Sequence, residues 1–253
     1  MIGYWSKNDL ETFKVEVKKY KIKDGDTSDV EILKNQIDIK ILDSTSNSYT
    51  IEWLFKNYDF TNANKLTKSL AAVPKDMKVI VKTDEMGSFV EVVNWKEIQD
   101  ELKKVFLLAS QQLKGNPDAK AMLEDMQELY TSKESIESRL LQDIQHYYTF
   151  HGGKYTLNDD VENTQISNGV PGNPVNVLTS VSLAQLNVDE DTGVIKYWKE
   201  FDAKQMTDAT YAYLKNMTKS TTVKLPARDS FPDITYSEYV GSTVHGSSGW
   251  VCL

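Results

Sequence analysis

A chain of 253 residues with 40% hydrophobic composition can bury a sizeable core, and its length suits one large β-rich domain. Its formal charge is −8, from 37 acids against 29 bases, and only Arg139 and Arg228 are arginine; this excludes an ordinary nucleic-acid binder, whose affinity rests on neutralising phosphates. The longest apolar runs, such as Val105 to Ala109, fall far short of the ~20 residues that cross a bilayer as a helix, so no membrane span is expected.

The first ninety residues alternate in twos, the period of half-buried strands. Phe13, Val15 and Val17 alternate with Lys14, Glu16 and Lys18, and Ile37, Ile39 and Ile41 with Asp38 and Lys40. The turn formers of Asp43 to Ser48 predict a hairpin between Ile37–Leu42 and Tyr49–Phe55. A second hairpin is predicted between Met77–Lys82 and Ser88–Val93, with Gly87 in its turn. At Asn94 the period changes. Asn94-Trp95-Lys96-Glu97 reads as a variant capping box, and Ile98, Leu102, Val105, Phe106 and Ala109 follow helical spacing to about Leu113. Asn116-Pro117-Asp118 opens a second helix, with an apolar stripe through Met122, Leu123, Met126, Leu129 and Tyr130 and on to Ile136, Leu140, Leu141 and Ile144. So short a connection predicts a helical hairpin over 95–148.

Beyond Gly153 the chain returns to strands, the clearest through Val175, Val177, Thr179, Val181 and Leu183, preceded by a turn-rich loop over Ser167 to Pro174. Leu186–Val188 and Val194–Phe201 flank another hairpin turn, Asp189 to Gly193. A third amphipathic helix is predicted from about Lys204 to Thr218, then a strand over Ile234–Val240 and a Gly/Ser-rich loop or ragged end over Gly241–Gly249. The expected fold class is therefore α+β: a large, curved, half-barrel-like antiparallel sheet with the helical hairpin and the third helix on one face, in a single domain over 1–253. Its strands fall in 10–93, its helical hairpin in 95–148, and further strands with one helix in 150–253.

Catalytic motifs are wanting. His146 and His151 stand five apart, not in the i, i+4 spacing of H-E-x-x-H, and read as partly exposed junction residues rather than metal ligands. His245 reads as a solvated loop residue. No G-x-S-x-G offers a serine nucleophile, and Cys252, the single cysteine, can form no internal disulfide and is poorly placed as a nucleophile. Asp189, Asp191 and Gly193 meet only part of a calcium-loop pattern and read as a solvated turn. No glycine-rich phosphate cradle occurs, and no cofactor or metal is implied. Paired carboxylates acting as a hydrolase keep a minor place among the readings, because their separation is spatial and 37 acids supply many pairs.

The more suggestive feature is a wealth of aromatics: 13 Tyr, 5 Trp and 8 Phe. Trp53, Phe55 and Tyr58 form one cluster, Tyr147, Tyr148 and Phe150 a second, and Tyr197, Trp198 and Phe201 a third. In a regular strand Tyr197 and Trp198 point to opposite faces, so one of them leaves the main core. Trp53, Phe55, Tyr58, Tyr147, Tyr148, Tyr197 and Trp198 are accordingly the candidate ligand-binding residues, the wall of an apolar or sugar-binding concavity.

Long alternating strands, the Asn94-Trp95-Lys96-Glu97 helix start, a helical pair and the strand turn Asp189-Glu190-Asp191-Thr192-Gly193 resemble uncharacterised bacterial secreted or cell-envelope proteins. In outline the succession is also similar to the half-barrel of lipoprotein carriers. That resemblance is one of architecture, and it implies handling of lipid or lipoproteins without catalysis. The leading expectation is a non-enzymatic cell-envelope protein, periplasmic or secreted, that binds a lipid, another apolar small molecule or an acylated partner between sheet and helices. The alternative is a protein-interaction or scaffolding module working through an exposed strand edge or aromatic patch. Met1 to Lys7 lack the features of a signal peptide, and a cytoplasmic location is the alternative there.

Overall fold

The structure is a computed structural model that describes residues 1–23, 26–61, 77–112, 120, 123, 124, 127, 132–137, 141–170, 173–219 and 221–252. The chain is α+β, as expected, with its strands divided between two antiparallel meanders. The first runs β1 (Leu10–Lys23), β2 (Asp26–Ser44), β3 (Ser48–Thr61), β4 (Lys78–Asp84) and β5 (Phe89–Val92) in spatial as in chain order. The second holds β6 (Asp160–Val170), β7 (Asn173–Asn187), β8 (Thr192–Phe201), β9 (Ser237–His245) and β10 (Val251–Cys252), each beside its neighbour in sequence. Neither sheet closes on itself. Among the described residues four α-helices accompany them: α1 (Trp95–Gln112), the single turn α2 (Lys133–Ser135), α3 (Gln142–Tyr148) and α4 (Ala203–Met217).

The alternation read from the first ninety residues sets the inner face of the first sheet. Ile37, Ile39 and Ile41 on β2 are buried, and so are Ile51, Trp53 and Phe55 on β3 and Val79 and Val81 on β4. Burying each such side chain stabilises the fold by roughly 1.5–3 kcal/mol. Ile98, Leu102, Phe106 and Ala109 of α1 join the same core, the helical stripe the sequence predicts. Its start differs in detail. The Asn94 side chain is taken up by β4, accepting from the Ile80 N–H at 2.8 Å and donating to the Lys78 carbonyl at 3.0 Å, so it ties the helix to the sheet instead of capping it. The second helix of the expected hairpin falls largely outside the described residues, although Leu123 and Ile136 are buried in the core.

Three expectations need correction in the second half. Residues 160–170 form a strand, although 167–170 read as loop, and Gly241–His245 belong to β9, although they read as a loose end. In both, polar or small residues occupy inward as well as outward positions, which hides the alternation. The inward positions of β9, Ser242 and Val244, are buried. His245 pairs with Thr192 as the last residue of that strand rather than standing in a loop.

Helix α3 joins the two sheets because successive residues face different neighbours. Tyr147 meets Trp53 edge-on, with ring centroids 5.0 Å apart, and Phe13 at 6.3 Å, both on the first sheet. One residue earlier, His146 reaches Glu238 on β9. The first residues of the chain are threaded into the same centre. The Gly3 N–H donates to the Met86 carbonyl at 2.9 Å, the Tyr4 N–H to that of Ser248 at 3.2 Å, and the Tyr49 hydroxyl to that of Gly3 at 2.8 Å. Trp5 then packs among Tyr49, Tyr148, His151 and Trp250.

Candidate functional site

Five of the seven candidate ligand-binding residues, Trp53, Phe55, Tyr147, Tyr148 and Tyr197, are buried in one core, and Tyr58 packs against it. Trp53 is only 2% exposed, and its Nε1–H donates to the Tyr148 hydroxyl at 2.9 Å, so the indole N–H is satisfied within the cluster. Burial raises the Tyr148 hydroxyl far above its ordinary value, and pushes Tyr197 up to about 12, with the Glu238 charge adding to the effect. These rings pack on one another. A depression of about 370 Å³ on the first sheet is lined instead by Lys14, Val15, Glu16, Lys34, Asn35, Gln36 and Asn57, with no aromatic among them.

Two histidines have defined environments. His151 is buried, not partly exposed as its junction position suggests, because the chain start and residues 249–250 close over it. Its Nε2 lies 2.8 Å from the Gly249 carbonyl, its Nδ1 is buried without a described partner, and desolvation lowers its pKa to about 4, helped by the nearby chain-terminal ammonium. The Nε2 nitrogen must therefore carry the proton of a neutral ring. His146, half-buried on α3, places Nε2 3.0 Å from one Glu238 oxygen while Lys199 Nζ lies 3.5 Å from the other. The hydrogen bond from His146 holds the Glu238 carboxyl below its usual range, with the Lys199 charge adding to the effect. Both carboxylate oxygens are thus engaged, and the group ties α3, β8 and β9 together. Among the described residues no three His, Cys, Asp or Glu side chains gather as a metal site would require, and no helix is long and apolar enough to cross a membrane.

The seventh candidate residue, Trp198, is placed differently. On β8 the odd positions Ile195, Tyr197 and Phe201 point into the core, so the even positions Lys196, Trp198 and Glu200 lie on the other face, as the parity of adjacent strand residues requires. Cross-strand register aligns Glu162, Ser180, Trp198 and Tyr239 in one row across β6, β7, β8 and β9. The next row carries Thr164, Leu178, Glu200 and Ser237, and Ile166 follows on β6. Tyr239 is 62% exposed, Ile166 69% and Leu178 36%, while Trp198 is half-buried among its neighbours. Facing positions on adjacent strands stand about 4.5–5.5 Å apart at Cβ, so Trp198 and Tyr239 are cross-strand neighbours on this face.

The outer face of the first sheet supplies the contrast. There Asp38 accepts from Thr12 at 3.0 Å and Gln36 at 3.1 Å and pairs with Lys56, while Lys78 reaches Glu52 at 3.1 Å. The Lys56 partner and these hydrogen bonds hold the Asp38 carboxyl below its ordinary range. That is a solvated, charged sheet face on which several polar groups pair with one another. The corresponding face of the second sheet exposes Tyr, Leu and Ile beside the half-buried Trp198. Only the parity of Tyr197 and Trp198 signals it in the sequence; Tyr239, Leu178 and Ile166 are joined to Trp198 by pairings between strands distant along the chain.

No protein-family model matches the chain, and no curated protein or solved structure matches it either.

Proposed function

We propose that this chain is a non-catalytic protein-interaction module that engages its partner through the outer face of the second sheet. The observation that carries the reading is the cross-strand neighbours Trp198 and Tyr239, continued by Leu178 and Ile166, on a sheet face whose counterpart in the same molecule carries charged side chains such as Asp38, Lys56, Glu52 and Lys78. Exposed aromatics that need no interior packing are what interface anchors are made of: Trp and Tyr carry large, rigid contact area at small entropic cost. The rim of Glu162, Lys196 and Glu200 around that surface supplies charges that steer and orient a partner.

The test is site-specific photo-crosslinking in native extract, with the crosslinker at position 239 and, as a control on the first sheet, at position 52. The expected result is a discrete protein adduct from position 239 alone, lost when Trp198→Ser is added. Equal labelling from both positions, or an adduct indifferent to Trp198, overturns the reading.

A further inference from the structure

Of the four outer strands, β5 has four residues and β10 two, too few to guide another strand, and β1 carries Lys14 between Glu11 and Glu16 in its described part. Lysine on an outer strand is one of the devices that keep an open edge from pairing; proline, bulges, inward charges and covering elements are others. β6 lacks all of them over 160–167. Asp160 to Ser167 pair with β7 without a register shift, and on its other side β6 has no strand among the described residues. The strand holds no proline, lysine or arginine, and its inward positions Val161, Asn163 and Gln165 are uncharged. Helix α4 packs at the far end, on Val170, while residues 160–166 are exposed on both faces, Val161 at 53% and Ile166 at 69%.

Such an edge offers a row of free N–H and C=O groups to an extended segment, and its side chains decide which segment fits. Asp160, Glu162, Thr164 and Ile166 share the outer face. Among the described residues neither acid has an ion-pair partner, and Lys196, in the row of Asp160, stands two strands away. A second copy of β6 brings only further acid to this edge, whereas a basic segment is drawn in. The same two carboxylates therefore select against the strand's own copy and for a partner of opposite charge.

We infer that β6 receives, in antiparallel pairing, an extended segment of a partner protein that reads, from its N-terminal end, apolar residue, any three residues, basic residue, apolar residue, basic residue. The first apolar side chain covers Ile166, and the two basic ones face Glu162 and then Asp160. The apolar residue between them falls on the inner face and covers Val161, because neighbouring strand residues point to opposite sides. This uses the edge of the sheet, not its aromatic face, and stands or fails separately from the reading of that face.

The probe is a fluorescently labelled heptapeptide, Val-Thr-Thr-Thr-Lys-Val-Lys, with anisotropy to measure binding and amide hydrogen exchange by NMR to locate it. The expected dissociation constant lies below about 1 mM. Replacing both peptide lysines by glutamate should weaken binding at least about tenfold, since two attractive cross-strand pairs become repulsive. Exchange should slow at alternate amides over 160–167, those that point away from β7, a pattern that strand addition gives and charge attraction alone does not. Asp160→Lys/Glu162→Lys, its folding confirmed by circular dichroism, should reverse the preference and take the glutamate peptide. No binding of the lysine peptide, binding by wild type indifferent to the sign of the peptide, or exchange unchanged in β6 overturns the inference. So does a concentration-dependent dimer that protects the same amides without peptide.

Discussion

Replacing His151 with Gln should remove about 2–3 kcal/mol of the fold's loss of stability between pH 7.5 and pH 4.5. In the native protein the ring is 5% exposed, donates from Nε2 to the Gly249 carbonyl, and has no described partner at Nδ1 where a second proton would sit. The unfolded imidazole protonates near 6.5, whereas the folded one resists until about 4. Between those values the unfolded chain holds the extra proton, so stability is complete above the upper value and lost as the pH falls through the window. At ~1.4 kcal/mol per pH unit of separation, the loss amounts to roughly 3 kcal/mol once both forms are protonated. Urea denaturation followed by tryptophan fluorescence from pH 7.5 to pH 4.5 measures it. Wild type should lose about 2–3 kcal/mol more over that interval than His151→Gln, whose amide keeps a donor for Gly249 but does not titrate. The chain-terminal ammonium, His146 and Glu238 are common to both proteins and drop out of the difference. Parallel pH profiles for the two would refute the reasoning.

Tyr148→Phe leaves the buried Trp53 N–H without its acceptor and should destabilise the protein by about 1–3 kcal/mol, read from the shift in urea midpoint at constant m-value. Gly249 has φ +69°, and a Cβ there would stand 2.4 Å from the Ile2 carbonyl oxygen, so Gly249→Ala should cost more than ~1 kcal/mol. Gly241→Ala, where an added Cβ finds nothing nearer than 3.9 Å, is the control that should change little in the same thermal melt. Glu238→Gln removes the carboxylate shared by His146 and Lys199 and should cost about 1–3 kcal/mol; adding His146→Gln should then cost almost nothing more, a non-additivity that a double-mutant cycle detects.

Alternation in twos made the inner face of the first sheet legible, because Ile37, Ile39, Ile41 and Trp53 are apolar where their lysine and acid neighbours are not. Helical spacing did the same for α1 and for α4, which the structure places at Ala203–Met217. Strand β6 escaped because Glu162, Asn163, Thr164 and Gln165 are polar on both faces: at a sheet edge the core no longer demands an apolar side. Asn94 matched a capping pattern, yet β4 lay within reach and offered its side chain both an N–H and a carbonyl. Burial of His151 had no local signal at all, since the groups that seal it come from Trp5 and from Gly249, about a hundred residues or more away in either direction. The aromatic surface was half legible: opposite faces for Tyr197 and Trp198 followed from strand geometry, but the identity of the outward neighbours required the register of four strands.

The threading of the first five residues constrains the order of biosynthesis. Met1 accepts from the Gly152 N–H, Tyr4 donates to Ser248, and Trp5 rests against Trp250. Residues 1–5 therefore cannot take their places until residue 250 has been made, and until then Trp5 waits outside an unfinished interior. Whatever is fused ahead of Met1 must leave that route open, so reporter and purification partners joined at the leading end should slow maturation far more than the same partners inserted in the exposed β7–β8 turn.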